Sequence, residues 1–354
     1  MRVLHVLCDL SGGGAERLVL GLCGAGLVAQ EVATVQPGGT LRGAFEAAGV
    51  PVHEGTRTPR QSGSMGSLGL GSLHGLVRLA RSFDLVHTHL FAGDTWGRVA
   101  ARMAGRPSVS TEHNVNRDEG APHRAIKRVL APLSGRIAYV SEACRRYAVD
   151  VEGIVHPGAV VIPNGVDLRR YSGAAIAGGP GTRLLAIGRD VPQKGFDVLL
   201  RSLPDGVSLR IAGRSAQRGI QHIGGATVEW LGEREDVAAL LAEADILVVP
   251  SRWEGFGLVA VEGMAAGVPV VASDVDGLPD VLGDVGVLVP PEDADALRAV
   301  LSRLRGDPEE RAQRGARGRD RAALFSLDTC ARRYRSLYVD VLAGLPPNEV
   351  GRAR

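Results

Sequence analysis

The sequence predicts an α/β protein of two doubly wound domains, and three observations carry that reading. Short β-branched runs alternate with segments of helical apolar period along nearly the whole chain. A break rich in Gly, Ala and Pro, SGAAIAGGPGT at 172–182, interrupts the alternation once, and the same pattern then restarts. Finally, 354 residues are too many for one ordinary core but suit two of roughly 150 residues each.

In the first half the strand-like runs are RVLHVLC (2–8), VATVQP (32–37), VPVHEG (50–55), DLVHTH (84–89), PSVSTEH (107–113), RIAYVS (136–141) and AVVIPN (159–164). Helical patterns separate most of them, as in AERLVLGLCGAGLVAQ (15–30) and LHGLVRLARS (73–82). The stretch TRTPRQSGSMGSLGLGS (56–72) is too poor in apolar side chains to build a core, and two readings stay open, a substrate lid or a disordered connection. The second half offers RLLAIGR (183–189), VSLRIAGR (207–214), ATVEWLG (226–232), DILVVPS (245–251), GVPVVASD (267–274) and VGVLVP (285–290) as strands. The tail, ALFSLDTCARRYRSLYVDVLAG (323–344), reads as an amphipathic helix with Tyr334 and Tyr338 four residues apart, suited to pack back on the first domain. The expected domains are 1–164, 165–328 and a returning helix from 329 to 354.

Composition narrows the function. With 41 Lys+Arg against 39 Asp+Glu, the net charge of +2 disfavours nucleic acid and favours small-molecule chemistry. Four cysteines without CxxC spacing argue for a reducing compartment and against structural zinc. The apolar run in MRVLHVLCDLSGGG is cut short by acid and glycine, and no later run approaches a membrane span, so a cytoplasmic protein is expected. HRAIKRVLAPLSGR (123–136) is basic and amphipathic; a solvated helix face is the favoured reading, peripheral contact with the inner face of a membrane the other.

Three stretches could do chemistry. DLSGGGAER (9–17) joins a strand to a helix and lets backbone approach phosphate, though Arg17 stands where a dinucleotide fingerprint needs glycine; a plain tight turn is the alternative. GRDVPQKGFDVLL (188–200) places Arg189 at a strand end and Lys194 at a helix start, two cations suited to a diphosphate, without the Walker spacing of a P-loop. EGFGLVAVE (254–262) sets Glu254 on the loop after a parallel strand, with Gly255, Phe256 and Gly257 ahead of a helix whose free N–H groups attract anions. Glu262 is expected on an apolar stripe with Leu258, Val259, Ala265 and Ala266, facing the sheet or crevice. His87, His89 and His113 could be imagined as a metal site, but a polar strand end lining a crevice is the favoured reading and no metal is expected.

Taken together these residues resemble the retaining GT-B glycosyltransferases of family 4, the glycosyl transferases group 1. Glu254 and Glu262 meet the Glu-x7-Glu signature, Arg189 and Lys194 the upstream cation pair, and IPNGVD (162–167) the domain junction, while GGAE (13–16), DLVHTH, TEHN (111–114) and VSEACRR (140–146) follow in family order. DGLPD (276–280) departs from the commoner Gly-Gly-x-Pro-Glu, and Asp190 adds an acid between the cations. The resemblance implies GT-B architecture, two Rossmann-like domains facing a central cleft. It implies a nucleotide-diphosphate sugar as donor, UDP-sugar favoured and GDP-sugar the alternative, with a small molecule or glycolipid as acceptor. Glu254 would hold sugar hydroxyls with the backbone of Gly255, Phe256, Gly257 and Leu258, and Glu262 the ribose. Arg189 and Lys194 would neutralise the diphosphate, Gly13 and Gly14 would approach it from the first domain, and His113 would contact the sugar near the reacting carbon. His89, Glu112 and Asn114 are the acceptor-side candidates. The implied reaction is front-face displacement with retention and without a cofactor or required metal, by a monomer or homodimer. A nucleotide-sugar epimerase of the same fold is the competing enzyme class, and a non-catalytic relative the competing binding class; the intact motif argues against the latter.

Overall fold

The computed structural model describes residues 1–55, 70–171 and 183–346. Most of the Gly/Ser-rich stretch, 56–69, and the whole of the break at 172–182 lie outside the described residues. The chain forms two compact units, Met1–Gly165 with Leu327–Arg354, and Val166–Ser326.

The first unit is built on strands β1 (Arg2–Leu7), β2 (Ala29–Thr34), β3 (Val52–Glu54), β4 (Leu85–His89), β5 (Ser108–Glu112), β6 (Arg136–Tyr139) and β7 (Ala159–Val161). They order as β3-β2-β1-β4-β5-β6-β7, every pairing parallel. β4 and β5 are buried along their whole length, as strands covered on both faces must be. Between the strands run α1 (Gly14–Gly24), α2 (Arg42–Ala47), α3 (Leu70–Ala80), α4 (Leu90–Ala104), α5 (Ala121–Leu130) and α6 (Glu142–Asp150). α4 lies close over the sheet because Gly93 and Gly97 face it; a Cβ on Gly93 would come within 2.5 Å of the Val6 carbonyl oxygen.

The second unit repeats the plan with β8 (Arg183–Ile187), α7 (Phe196–Arg201), β9 (Ser208–Ala212), β10 (Gly219–Ile223), β11 (Ala226–Gly232), α8 (Val237–Glu243), β12 (Ile246–Val249), α9 (Leu258–Ala266), β13 (Val270–Ser273), α10 (Leu278–Leu282), β14 (Val287–Val289), α11 (Ala294–Gly306) and α12 (Pro308–Ala322). Its sheet order is β10-β11-β9-β8-β12-β13-β14. The last helix, α13 (Leu327–Leu342), returns to the first unit, where Cys330, Ala331, Tyr334, Leu337 and Tyr338 pack with Val3, Leu18, Leu22 and Val109.

The structure corrects three expectations. The helix expected over 15–30 ends at Gly24, and Ala29 already opens β2, since Gly26 takes a left-handed φ of 66° and breaks the helical period. β10 was not expected: its exposed, partly polar residues pair antiparallel with β11 at the sheet edge and lack the apolar run of a central strand. α9 is apolar at nearly every position, so periodicity misassigned its faces. Ala260, Val261, Gly263, Met264 and Ala266 are the buried ones, Gly263 tightly enough that a Cβ would meet Leu247 Cδ2 at 2.3 Å, while Leu258, Val259, Glu262 and Ala265 are only half-buried, so Ala266 alone of the expected stripe is fully packed.

Candidate active site

In open parallel sheets ligands gather beyond the carboxyl ends of strands, where the strand order reverses. In the second unit that point lies between β8 and β12. The loop after β8 carries Arg189 and Lys194, and the loop after β12 carries Glu254; the structure brings Lys194 Nζ to 2.5 Å from Glu254 Oε2. Backbone shape enforces the approach. Gly195 takes φ 62°, and a Cβ there would fall 2.0 Å from the carbonyl oxygen of Pro250, so only glycine lets the lysine loop seat against the end of β12.

Further contacts hold Glu254 in place. Its N–H donates to Asp276 Oδ2 at 3.1 Å, its carbonyl accepts from Gly277 N at 3.1 Å, and Ser251 Oγ donates to its carboxylate at 3.4 Å. Asp276, in the DGLPD stretch, adopts a φ of 45°, rare for a non-glycine residue, in making this contact. Gly257, with φ 94°, is the N-cap of α9, and no side chain caps that helix. Phe256 beside it is buried edge-on against Phe325 at 5.5 Å. Arg189 is exposed and its side chain makes no hydrogen bond or ion pair among the described residues, whereas Glu262 is half-buried one turn into α9.

In the first unit the order reverses between β1 and β4. The turn after β1 runs through Gly12, at φ 90°, to Gly13, the N-cap of α1, again with no side-chain cap. Gly39 walls this turn so closely that a Cβ would sit 2.2 Å from the Leu10 carbonyl carbon. Beside it three imidazoles connect through their ring nitrogens: His5 Nδ1 lies 2.9 Å from His89 Nε2, and His89 Nδ1 lies 3.0 Å from His113 Nε2. His5 Nε2 reaches Gln30 Oε1 at 2.7 Å, and the Gln30 amide donates to the Leu22 carbonyl at 2.8 Å. His87 bonds instead to Tyr338 OH and Thr111 Oγ1, each at 2.7 Å. Burial pushes all four histidines below their ordinary pKa, His5 and His113 to about 4. The nitrogens of His5, His87 and His89 lie close enough together for a cation, but all six are already in hydrogen bonds that a metal would have to break.

Next to this chain is a buried ion network. Lys127 Nζ lies 2.6 Å from Glu152, 3.0 Å from Glu112 and 3.9 Å from Glu119, and Arg98 lies 3.4 Å from Asp94 and 3.6 Å from Glu112. Burial would raise the Glu112 carboxyl, but Lys127 and Arg98 hold it below the usual range. Burial also pushes Glu119 up to about 7. α5, whose sequence is basic, therefore turns Lys127 inward, and Arg128 donates to the Glu152 carbonyl at 2.7 Å.

Of the acceptor-side candidates, His89 is fully buried and both its nitrogens are engaged, Glu112 belongs to the ion network, and Asn114 is half-buried with its side-chain oxygen on Val115 N. His5 and Gln30 escaped the sequence reading, the first inside an apolar strand and the second inside a misplaced helix. The available signal was a histidine at the inward positions of three strand segments, RVLHVL, DLVHTH and STEH.

Two such units, each a sheet dominated by parallel pairing with polar residues at its switch point, define a GT-B fold. Among solved structures, Anabaena Alr3699/HepE in complex with UDP and glucose superposes with a TM-score of 0.84 at 22% identity over 96% of this chain and 100% of that one. A sucrose-phosphate synthase from Thermosynechococcus elongatus gives 0.78 at 21% identity, over 97% and 100%. Family models match in both halves, "Glycosyltransferase Family 4" over residues 12–170 and "Glycosyl transferases group 1" over 181–307. A phosphatidyl-myo-inositol mannosyltransferase of Mycolicibacterium smegmatis is 33% identical over 281 residues, 73% of this chain and 72% of the relative. One from Mycobacterium leprae is 39% identical over 248 residues, 64% of this chain and 65% of its own length. The chain belongs to glycosyltransferase family 4. Among the described residues no helix is long and apolar enough to cross a membrane.

Proposed function

We propose that this enzyme transfers a hexose from a nucleoside-diphosphate sugar to a hydroxyl of an inositol-type polyol or its lipid, with retention at the anomeric carbon and without a metal. The observation that carries the reading is the pairing of Lys194 with Glu254 beside the uncapped start of α9. An ammonium and free helix N–H groups attract a diphosphate, and the adjacent carboxylate accepts hydrogen bonds from sugar hydroxyls. On diphosphate binding Lys194 exchanges its carboxylate for phosphate oxygens, Arg189 joins from solvent, and Glu254 is released to the sugar. Glu262 takes the ribose hydroxyls.

As the diphosphate departs, negative charge grows on its oxygens, where the fixed dipoles of α9 and the two recruited cations offset it. The acceptor oxygen attacks from the face the diphosphate leaves, and a phosphate oxygen takes its proton. In the first domain, Gly13, Gly14 and His113 are the candidates for contact with the donor. UDP is the favoured nucleotide, in line with the UDP and glucose held by the Anabaena protein, and GDP the alternative. The acceptor class rests on the names of relatives, which include a D-inositol 3-phosphate glycosyltransferase of Segniliparus rotundus, 30% identical over 292 residues.

The test offers UDP-glucose and GDP-mannose separately, with phosphatidylinositol vesicles or inositol phosphate, with and without excess EDTA. A glycosylated product whose proton coupling matches the donor anomer, formed at the same rate in EDTA, is expected. An isomerised nucleotide sugar without acceptor would mean an epimerase; an inverted anomer, or activity lost in EDTA and restored by Mg²⁺, would overturn the mechanism.

A further inference from the structure

The imidazole chain of the first unit has a direction, and one amide sets it. The Gln30 amide nitrogen donates to the Leu22 carbonyl, an oxygen that only accepts, so the amide oxygen must face His5. His5 Nε2 therefore carries a proton, and its Nδ1, with the ring neutral, offers a lone pair. His89 Nε2, 2.9 Å away, has to supply the hydrogen, which leaves His89 Nδ1 as an acceptor. The same step recurs at 3.0 Å: His113 Nε2 donates, and His113 Nδ1 is left with a bare lone pair. That nitrogen is buried and has no hydrogen-bond partner among the described residues. Buried polar atoms are nearly always satisfied, so an orphan at the end of an otherwise complete chain marks a place for a ligand's donor.

We propose that Gln30, acting through His5 and His89, fixes His113 as the Nε2–H tautomer and thereby presents its Nδ1 as the acceptor for a hydroxyl of the bound sugar. Gln30, His5 and His89 are positioning residues, and the assignment of their ligand rests on the transferase reading above. The polarity matters to that chemistry. An N–H dipole aimed at the sugar would oppose the positive charge that develops on the ring as the diphosphate leaves, whereas a lone pair drawing on a hydroxyl hydrogen favours it. Burial supports the assignment, since it keeps His5 neutral, and only a neutral His5 leaves its Nδ1 as an acceptor for His89.

The experiment uses the ¹⁵N spectra of the histidine rings in the full-length protein, each ring assigned by a single His→Asn substitution. Nε2–H tautomers are expected for His5, His89 and His113. Gln30→Leu, which removes the terminal acceptor, is expected to give a mixture of tautomers at His113, whereas Gln30→Glu, which keeps an acceptor for His5, is expected to retain the original one. Kinetics with the donor selected above then read function: Gln30→Leu lowers kcat about tenfold with the donor KM little changed, and Gln30→Glu restores it to within about twofold. A wild-type His113 protonated on Nδ1, or a His113 tautomer indifferent to Gln30→Leu, overturns the proposal without any assay of transfer. An equal loss of kcat in both variants reduces Gln30 to a packing role and also overturns it. Tautomers as expected in a protein that transfers no sugar would refute the transferase reading and leave the polarised chain standing.

Discussion

The two switch points answer the same topological problem with opposite chemistry. In the second unit Lys194 and Glu254 are charged, partly open to solvent and joined to each other, so each can change partner when an anion arrives. In the first unit the polar groups are buried, the imidazoles neutral, and every link but the last is closed within the fold. Both begin a helix on an uncapped glycine, Gly13 and Gly257, so backbone alone does not distinguish them. The difference lies in what surrounds the helix start: exchangeable charge in one unit, a prewired hydrogen-bond chain braced by an ion network in the other. Under the proposed function, the charged one is suited to binding and the prewired one to holding a single group in one state.

That contrast can be broken from either side. The largest effect is expected from Lys127→Met, which strands Glu152 as a buried charge and leaves Glu112 with Arg98 alone. Urea denaturation should show a loss of about 3–5 kcal/mol, while UDP affinity at 25 °C stays the same. Lys194→Ala should do the reverse, weakening UDP binding by about 1.5–3 kcal/mol in a calorimetric titration while stability moves by less than about 1 kcal/mol. If the lysine variant unfolds and UDP binding survives, the two regions have been given each other's roles.

Acid provides a third test. His5 and His113 fall from an ordinary 6.5 to about 4 in the fold, so the unfolded chain binds more protons and their contribution is complete only above pH 6.5. It is lost as pH falls through that window, by about 1.4 kcal/mol for each between about pH 7.5 and about pH 5.5. Thermal melts across that range should show the decline, and His5→Gln should remove part of it. The smallest effect is expected on UDP affinity in Glu254→Gln. Losing the carboxylate frees Lys194, so UDP binds as before or tighter by no more than about 1 kcal/mol, while turnover collapses because the sugar loses its hydroxyl anchor. Weaker UDP binding in that variant would mean that Glu254 supports the phosphate site rather than competing with it.

Much of this was legible before any coordinates. The alternation of β-branched runs and helical periods gives both sheets, because strands buried on two faces must read as continuous apolar segments. Glu254 and Lys194 stand out by spacing and by their places after strands, though nothing in the sequence says that they pair. The face presented by Glu262 was not legible, since a helix apolar all round carries no phase. Lys127 read as surface charge because its three carboxylate partners come from distant segments of the chain. His5 and Gln30 were hidden for a related reason: their meaning depends on the lateral register of β1, β2 and β4, which places His5 opposite His87 on one side and Val32 on the other.

The return of α13 also bears on the order in which the protein can be made. A ribosome delivers residues 1–165 first, yet the layer formed by Val3, Leu18, Leu22 and Val109 is closed by Tyr334, Leu337 and Tyr338, which emerge only after the entire second unit. Until then the nascent first domain displays an uncovered apolar face, and His87 lacks the Tyr338 hydroxyl that occupies one of its nitrogens. The second unit, continuous from Val166 to Ser326, can close its own core while the first still waits. The first unit is thus the last to be completed, and a chain interrupted shortly before Tyr334 leaves the earlier-made half with the uncovered face, a ready target for chaperones or for its own neighbours on a polysome.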